Sequence, residues 1–309
     1  MKKITVFSPA SVANVGPGFD VMGFALSSVG DTLTAEMSSE QGVRIRKITG
    51  DDGKLPKDVD KNTASIGATS VMEKLGIEGG MEITLNKGLR LNSGLGSSGA
   101  SAVAGAFAAM KLFAPEKEKG FVLEDCVKAE AAVSGNHADN VAPSLFGGFV
   151  IIRSYEPLDI IRLKSPTKLF ATVVTPDYEV STKEARAILP SSVPMKSLVH
   201  NTGNVAALVA GIAMNDCAII GRSISDSIIE PVRAKLIPGY ASVKKAAMDS
   251  GALGCAIAGS GPSMFAFSDS GKKAIEISNA MAKAFEREGL SSDKLVSKVN
   301  GEGAKVIGK

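Results

Sequence analysis

The chain has 309 residues, 44% of them hydrophobic, which is enough for one large or two medium domains around a substantial buried core. Its 35 Lys and Arg nearly balance 32 Asp and Glu, so no field of one sign covers the surface, which argues against a nucleic-acid or membrane-surface binder. Recognition has to rest on a few locally placed charges.

The opening M-K-K-I-T-V-F-S-P-A is too short in its apolar part for a signal peptide, and no stretch reaches about 18 continuous apolar residues. A cytoplasmic address is expected. I-T-V-F-S reads as a strand, and D-T-L-T-A-E-M and V-R-I-R-K-I-T alternate with period two, so the chain begins β-rich. Asn62 to Leu75 reads as a helix stopped by Gly76, and Met81 to Leu85 as a strand that feeds a glycine-rich turn. From Ser97 to Phe113 the run of Ala, Val, Gly and Met with few charges predicts a helix packed on most sides, stopped by Pro115. A second helix is expected over Val122 to Ser134, ending at Gly135. N-H-A-D-N-V-A-P-S-L-F then reads as a polar knot before a buried strand from Gly148 to Arg153, and polar groups crowded beside a core strand suggest a site.

A charged, proline-bearing stretch from Tyr155 to Lys168 holds the strand D-I-I-R-L-K and leads into L-F-A-T-V-V-T-P, where a boundary divides the chain into residues 1–165 and 166–309. Beyond it, helical patterns cover about Ser197 to Gly211, Asp216 to Asp226 and Tyr240 to Ser250. The strands C-A-I-A and S-M-F-A-F flank G-S-G-P, an amphipathic helix runs from Lys272 to Glu288, and L-V-S-K-V and A-K-V-I-G follow as a strand pair. The second half is α+β, not a βαβ repeat. Cys126, Cys217 and Cys255 show no metal-ligand or disulfide spacing and read as free core thiols.

The most informative segment is K-G-L-R-L-N-S-G-L-G-S-S-G-A-S-A-V-A, Lys87 to Ala104. A glycine-serine turn running into a helix gathers main-chain N–H groups into one small space, which suits a phosphate chain. Gly94-Leu-Gly96-Ser-Ser-Gly99 also satisfies the dinucleotide fingerprint GxGxxG. There, however, an acidic ribose ligand is needed at a strand end about 20 residues later. Glu116 and Glu118 fit that count but sit in a charged turn between helices. A Walker A loop would need Lys-Ser or Lys-Thr after the glycines, and none follows. A tight turn that serves packing alone remains open. Ser97 and Ser98 are placed to cap the helix or reach a Mg²⁺ bridging phosphates, with Glu130 on the next helix as a second oxygen ligand. Taken alone, Glu130 is a solvated helix carboxylate.

Combined with P-A-S-V-A-N-V-G-P-G-F-D-V-M-G-F-A-L (Pro9 to Leu26) and G-C-A-I-A-G-S-G-P-S-M-F-A (Gly254 to Ala266), this loop resembles the GHMP kinases in order and spacing over nearly the whole chain. The details A-N-V-G-P-G-F-D, H-A-D-N-V-A-P (His137 to Pro143), S-T-K-E-A-R (Ser181 to Arg186) and E-P-V-R (Glu230 to Arg233) are most similar to the homoserine kinase family. The resemblance implies an N-terminal domain like ribosomal protein S5 domain 2, a ferredoxin-like C-terminal domain and a homodimer. It also implies phosphorylation of the side-chain hydroxyl of L-homoserine by ATP with Mg²⁺, for threonine biosynthesis. The chain departs from the pattern at Arg90-Leu91, where an apolar-Pro pair is usual, and at Gly99, where Ala is frequent; both changes touch the rigidity of the loop.

By the same resemblance, Arg90, Leu91, Asn92, Ser93, Gly94, Leu95, Gly96, Ser97, Ser98 and Gly99 form the phosphate-binding stretch, Asn62 and Lys87 contact the adenine region, and Ser98 and Glu130 hold the metal. Homoserine carries a carboxylate, an ammonium and a hydroxyl, and a selective site needs a partner for each. Arg186 and Arg233 match the carboxylate ligands, and their planar forks suit that group. Asp20 would meet the ammonium, His137 and Asn140 the substrate, and Asn14, Asp139 and Thr182 would stand near the reacting hydroxyl. Each residue also has a plainer reading: lone arginines lie on surfaces, Asp20 can cap the turn after Gly18, Asn62 can cap its helix, His137 can be structural, and G-S-G-P can be a hairpin turn. His200 is given no catalytic task. Phosphoryl transfer draws mainly on alignment and charge neutralisation, so a strong base is not required. The rivals are a mevalonate or sugar kinase of the same superfamily, a ligand-binding paralogue without turnover, and a nicotinamide oxidoreductase.

Overall fold

Period-two alternation in the opening residues produces an antiparallel pair, β1 (Lys3–Ala13) and β2 (Met22–Ser38), in the computed structural model, which describes residues 2–308. In β1 the alternation gives way to continuous burial after Phe7, because its second half is covered on both faces. β3 (Gly42–Thr49), α1 (Thr63–Lys74), β4 (Gly80–Asn86), α2 (Ser97–Phe113), α3 (Leu123–Ala131), α4 (Ala138–Phe146), β5 (Phe149–Tyr155) and β6 (Leu158–Leu163) follow. One half of β2 pairs with β4 and the other with β5, so this long strand organises a mixed sheet in which β3 runs parallel to β4.

α2 lies against that sheet, buried on nearly every side, with α1 beside it. The two helices touch through backbone. A Cβ on Gly105 would stand 1.8 Å from Ala64 O, so the helix tolerates the low helical propensity of glycine there to permit the approach.

The chain crosses to a second sheet after β6. β7 (Phe170–Pro176), α5 (Thr182–Ala187), α6 (Met195–Ala213), α7 (Cys217–Arg222), α8 (Glu230–Arg233), α9 (Tyr240–Asp249), β8 (Gly254–Ile257), β9 (Met264–Ser268), α10 (Gly271–Arg287) and β10 (Ser292–Lys298) build it, in the antiparallel order β10-β7-β9-β8 of a ferredoxin-like unit. Phe24 and Phe149 of the first sheet stack with Phe265 and Phe267 of the second; the Phe24 centroid lies 5.2 Å from Phe149 and 5.3 Å from Phe267. One apolar core thus joins both halves.

Two expectations change. The polar knot H-A-D-N-V-A-P-S-L-F is α4, a helix that carries Pro143 in its interior. Pro143 lacks the N–H that would bond Asp139 O, and Gly23 packs directly against that carbonyl. The two last strands do not pair. Asn300 Oδ1 accepts from Glu302 N (2.8 Å) and Gly303 N (3.0 Å) and turns the chain, so that β11 (Lys305–Gly308) joins the free edge of β1. Residues 305–308, expected in the second unit, therefore belong to the first sheet. Among the described residues, no helix is long and apolar enough to cross a membrane. Cys126 and Cys255 are buried and Cys217 half-buried, all as free thiols.

Candidate active site

A cavity of about 350 Å³, the size of small-ligand pockets, lies where the glycine loop, the β1–β2 loop, the start of α4, the start of α5 and the β8–β9 turn meet. The glycine loop is bent by left-handed residues, Asn92 (φ 54), Gly94 (φ 81) and Gly96 (φ 65). Gly96 precedes α2 and no side chain among the described residues caps the helix, so its first N–H groups are free to meet an anion. Two glycines are required by close approach. A Cβ on Gly96 would lie 2.3 Å from Ser11 Oγ and 2.6 Å from Asn140 Oδ1, and one on Gly94 would lie 2.5 Å from Ala258 O. The loop is thereby pressed against α4 on one side and the G-S-G-P turn on the other.

Below the helix start, Ser98 Oγ donates to Glu130 Oε1 (2.8 Å), while Glu130 Oε2 is buried without a partner. Burial pushes the Glu130 carboxyl up to about 7, against the hydrogen bonds from Ser98 and Ser134. An orphaned carboxylate oxygen beside a hydroxyl is a donor set that fits Mg²⁺, which binds one or two carboxylates and completes its shell with phosphates and water. Among the described residues there is no cluster of three or more His, Cys, Asp or Glu for a metal, so phosphate oxygens would have to supply the remainder.

Three elements meet at one carbonyl at the other end of the cavity. Gly259 O accepts from Asn14 Nδ2 (2.9 Å) and from Arg233 Nη1 (2.8 Å), while Asn14 Oδ1 accepts from Asp20 N (3.1 Å). Arg233 also donates through Nε to Ala185 O (3.3 Å) and is only 4% exposed. Arg186 Nη2 lies 2.8 Å from both oxygens of Asp20 and 3.2 Å from His137 Nδ1. Burial and the neighbouring Arg186 charge lower the His137 pKa, so its ring is neutral near pH 7 and Nδ1 accepts from Arg186. Asp139 is buried with Oδ1 unpartnered; burial and then the charge of Asp20 push its carboxyl up to about 7.

Asn14, Asp20, Asn62, Lys87, Leu91, Asn92, Ser93, Gly94, Gly96, Ser97, Ser98, Glu130, His137, Asp139, Asn140, Thr182, Arg186 and Arg233 all line this cavity. Arg90, Leu95 and Gly99 stand outside its wall. Arg90 pairs with Asp177, Leu95 is buried in the shared core, and Gly99 packs on Asn140 and Val141. Lys87 also differs from expectation. Its ammonium is buried and donates to Asp31, Ser97 O (2.8 Å) and Ser101 Oγ (2.8 Å), which anchors the start of α2 instead of reaching outward to a base. Asn62 caps α1, with Oδ1 accepting from Ala64 N (3.1 Å). His200 lies outside the cavity, with Nε2 3.0 Å from Ser225 Oγ.

One contributor carries no sequence signal. The Tyr155 hydroxyl, at the end of β5, donates to Asp20 O (2.9 Å) and lies 3.4 Å from Ala138 N, tying the β1–β2 loop to the start of α4. No motif surrounds it, and only the pairing of β5 with β2 brings it there.

Comparison with known proteins agrees with this geometry. The chain matches the GHMP kinases N terminal domain over residues 62–148 and the GHMP kinases C terminal domain over residues 204–287. It is 45% identical to a homoserine kinase of Chlorobaculum tepidum over 99% of both chains, and 45% identical to one of Arabidopsis thaliana over 98% of this chain and 84% of that one. The crystal structure of homoserine kinase from Cytophaga hutchinsonii superposes with a TM-score of 0.96 at 52% identity, covering 99% of this chain and 98% of that chain. With the glycine loop, the two-sheet architecture and relatives of this closeness in agreement, the chain belongs to the GHMP kinases, in the homoserine kinase family.

Proposed function

We propose that the chain transfers the terminal phosphoryl group of ATP to the side-chain hydroxyl of L-homoserine, yielding O-phospho-L-homoserine and ADP for threonine biosynthesis. The observation that carries this reading is that Asp20, Arg186 and Arg233 share one cavity with the glycine loop. Asp20 and Arg186 are ion-paired, each neutralising the other. A zwitterion can open that pair and satisfy both halves, its ammonium on Asp20 and its carboxylate on Arg186 and Arg233. A mevalonate or sugar kinase would have no use for this set, and a paralogue without turnover would have no reason to keep Ser98 beside an unpartnered Glu130 oxygen.

The N–H groups from Gly94 to Gly99 and the start of α2 hold the phosphates, with Ser98 and Glu130 as ligands of Mg²⁺, which when bound neutralises phosphate charge. Asn14, Asp139 and Thr182 orient the hydroxyl. Its oxygen forms the new bond to phosphorus, the bond from that phosphorus to the bridging oxygen of ADP breaks, and the hydroxyl proton passes to a transferred phosphoryl oxygen and from there to solvent. Alignment supplies most of the acceleration, and Asp139 chiefly orients. The protein acts in the cytoplasm as a homodimer. The strongly exposed Met195, Val199 and Met214, on and just after a helix whose one charged residue is Lys196, support self-association, which light scattering tests.

Incubation with ATP, Mg²⁺ and a panel of alcohols tests the substrate. Phosphate should pass to L-homoserine, and transfer to mevalonate or galactose without transfer to homoserine would overturn the reading.

A further inference from the structure

We infer that Phe19 is a positioning residue for the carboxylate end of the substrate site, its ring holding Arg186 and Arg233 together as one two-armed receptor. The inference deepens the proposed function and rests on it. The guanidinium centres of Arg186 and Arg233 lie 5.2 Å and 5.1 Å from the centroid of the same Phe19 ring. An aromatic face carries negative quadrupole density, so it attracts both cations while offering no competing acceptor to a carboxylate.

The arrangement answers a specific electrostatic problem. Two like charges have to converge on one small anion, and each acts against the other before the anion arrives. Arg233 is fixed by backbone carbonyls, donating to Gly259 O and Ala185 O. Among the described residues, Arg186 has Asp20 and His137 Nδ1 as its polar partners. When a substrate ammonium takes Asp20, Arg186 loses its main counter-charge at the moment it is needed. His137 Nδ1 and the ring of Phe19 then remain to hold Arg186, and of these two the ring also carries Arg233. Phe19 is half-buried and belongs to none of the hydrophobic cores among the described residues, so packing does not account for a phenyl group here. Its neighbour Asp20, with φ 58, reaches the same arginine, which places the ammonium ligand and the aromatic support on adjacent residues of one bent loop.

Steady-state kinetics on the full chain test this. Phe19→Leu keeps apolar volume and removes the quadrupole, and should raise the KM for L-homoserine about 5- to 20-fold. The kcat and the KM for ATP should stay within about twofold, and Phe19→Tyr should restore the homoserine KM. In an Arg186→Ala background the Leu substitution should raise the KM by a smaller factor than in the unmodified protein. Phe19→Met provides a second test should Phe19→Leu fail to fold. An unchanged homoserine KM, a fall in kcat alone, failure of Tyr to rescue, or an equal factor in the Arg186→Ala background would overturn the inference. If the unmodified protein phosphorylates homoserine and the Leu and Met variants are unaffected, only the role of Phe19 falls; if homoserine is not a substrate, the proposed function falls with it.

Discussion

Glu130 and Asp139 are both buried acids with one unpartnered oxygen, yet their tasks differ. Glu130 sits beside a hydroxyl at a helix start, where phosphate charge would gather, and its buried free oxygen is neutralised by a retained proton or by a cation that displaces it. Glu130→Ala should lower turnover by about 100-fold, most at limiting Mg²⁺. Titrating Mg²⁺ in a coupled assay checks this, and near-normal activity at low metal would remove Glu130 from the metal site. Asp139 lies near the expected position of the hydroxyl. If alignment dominates, Asp139→Asn retains a hydrogen-bonding partner and should cost kcat less than about 100-fold, below the usual range for loss of a general base. A larger loss with unchanged KM would assign proton removal to Asp139. The chemistry of homoserine called for arginine and aspartate in the site, and Asp20, Arg186 and Arg233 do line one cavity. Tyr155 and Phe19 were not legible, because their roles come from contacts with residues far away in the chain.

The glycine loop shows how an element is positioned from outside itself. At the entry to the loop Arg90 pairs with Asp177, Asn92 Nδ2 donates to Glu179 (3.1 Å), and Lys54 meets the same Glu179 (3.2 Å). Residues 177–179 lie between β7 and α5, so the loop that would receive phosphate is strapped to the segment leading to Thr182 and Arg186. These pairs are partly exposed and individually weak, and they act as a small network. Arg90→Ala should raise the KM for ATP by about threefold at low salt, and the difference should vanish near 1 M salt. Kinetics at two ionic strengths check it; a salt-independent effect would point to packing. α1 and α2 were legible because local chemistry marks their ends: the Asn62 cap, the Gly76 stop, and the run to Pro115. α4 was hidden because Pro143 and three polar residues imitate a loop. Its helix exists because Gly23 and α2 receive its backbone and side chains.

Burial of acids also leaves its mark on the stability of the whole protein. The Asp139 carboxyl rises from 3.8 and that of Glu130 from 4.5, each to about 7, so across that window the native chain holds protons that the unfolded chain has released. Native binding of more protons makes stability fall as pH rises. Scanning calorimetry of the ligand-free protein should find Tm declining from about pH 5 to about pH 7.5, with the decline reduced by Asp139→Asn combined with Glu130→Gln. An unaltered decline would place its source elsewhere. The aromatic cluster of Phe24, Phe149, Phe265 and Phe267 joins the two sheets, and β11 returns to the first sheet, so the halves are not independent beads on a string. Periodicity and turn chemistry, which act between neighbours in sequence, were enough to read most strands and helices and the glycine turn before α2, and the resemblance of the motifs supplied the type of chemistry. Which edge β11 joins, that Lys87 turns inward to Asp31, and that Asn14, Gly259 and Arg233 meet at one carbonyl depend on residues tens to hundreds of positions apart. Such contacts are selected by packing of the assembled sheets, and no local pattern encodes them.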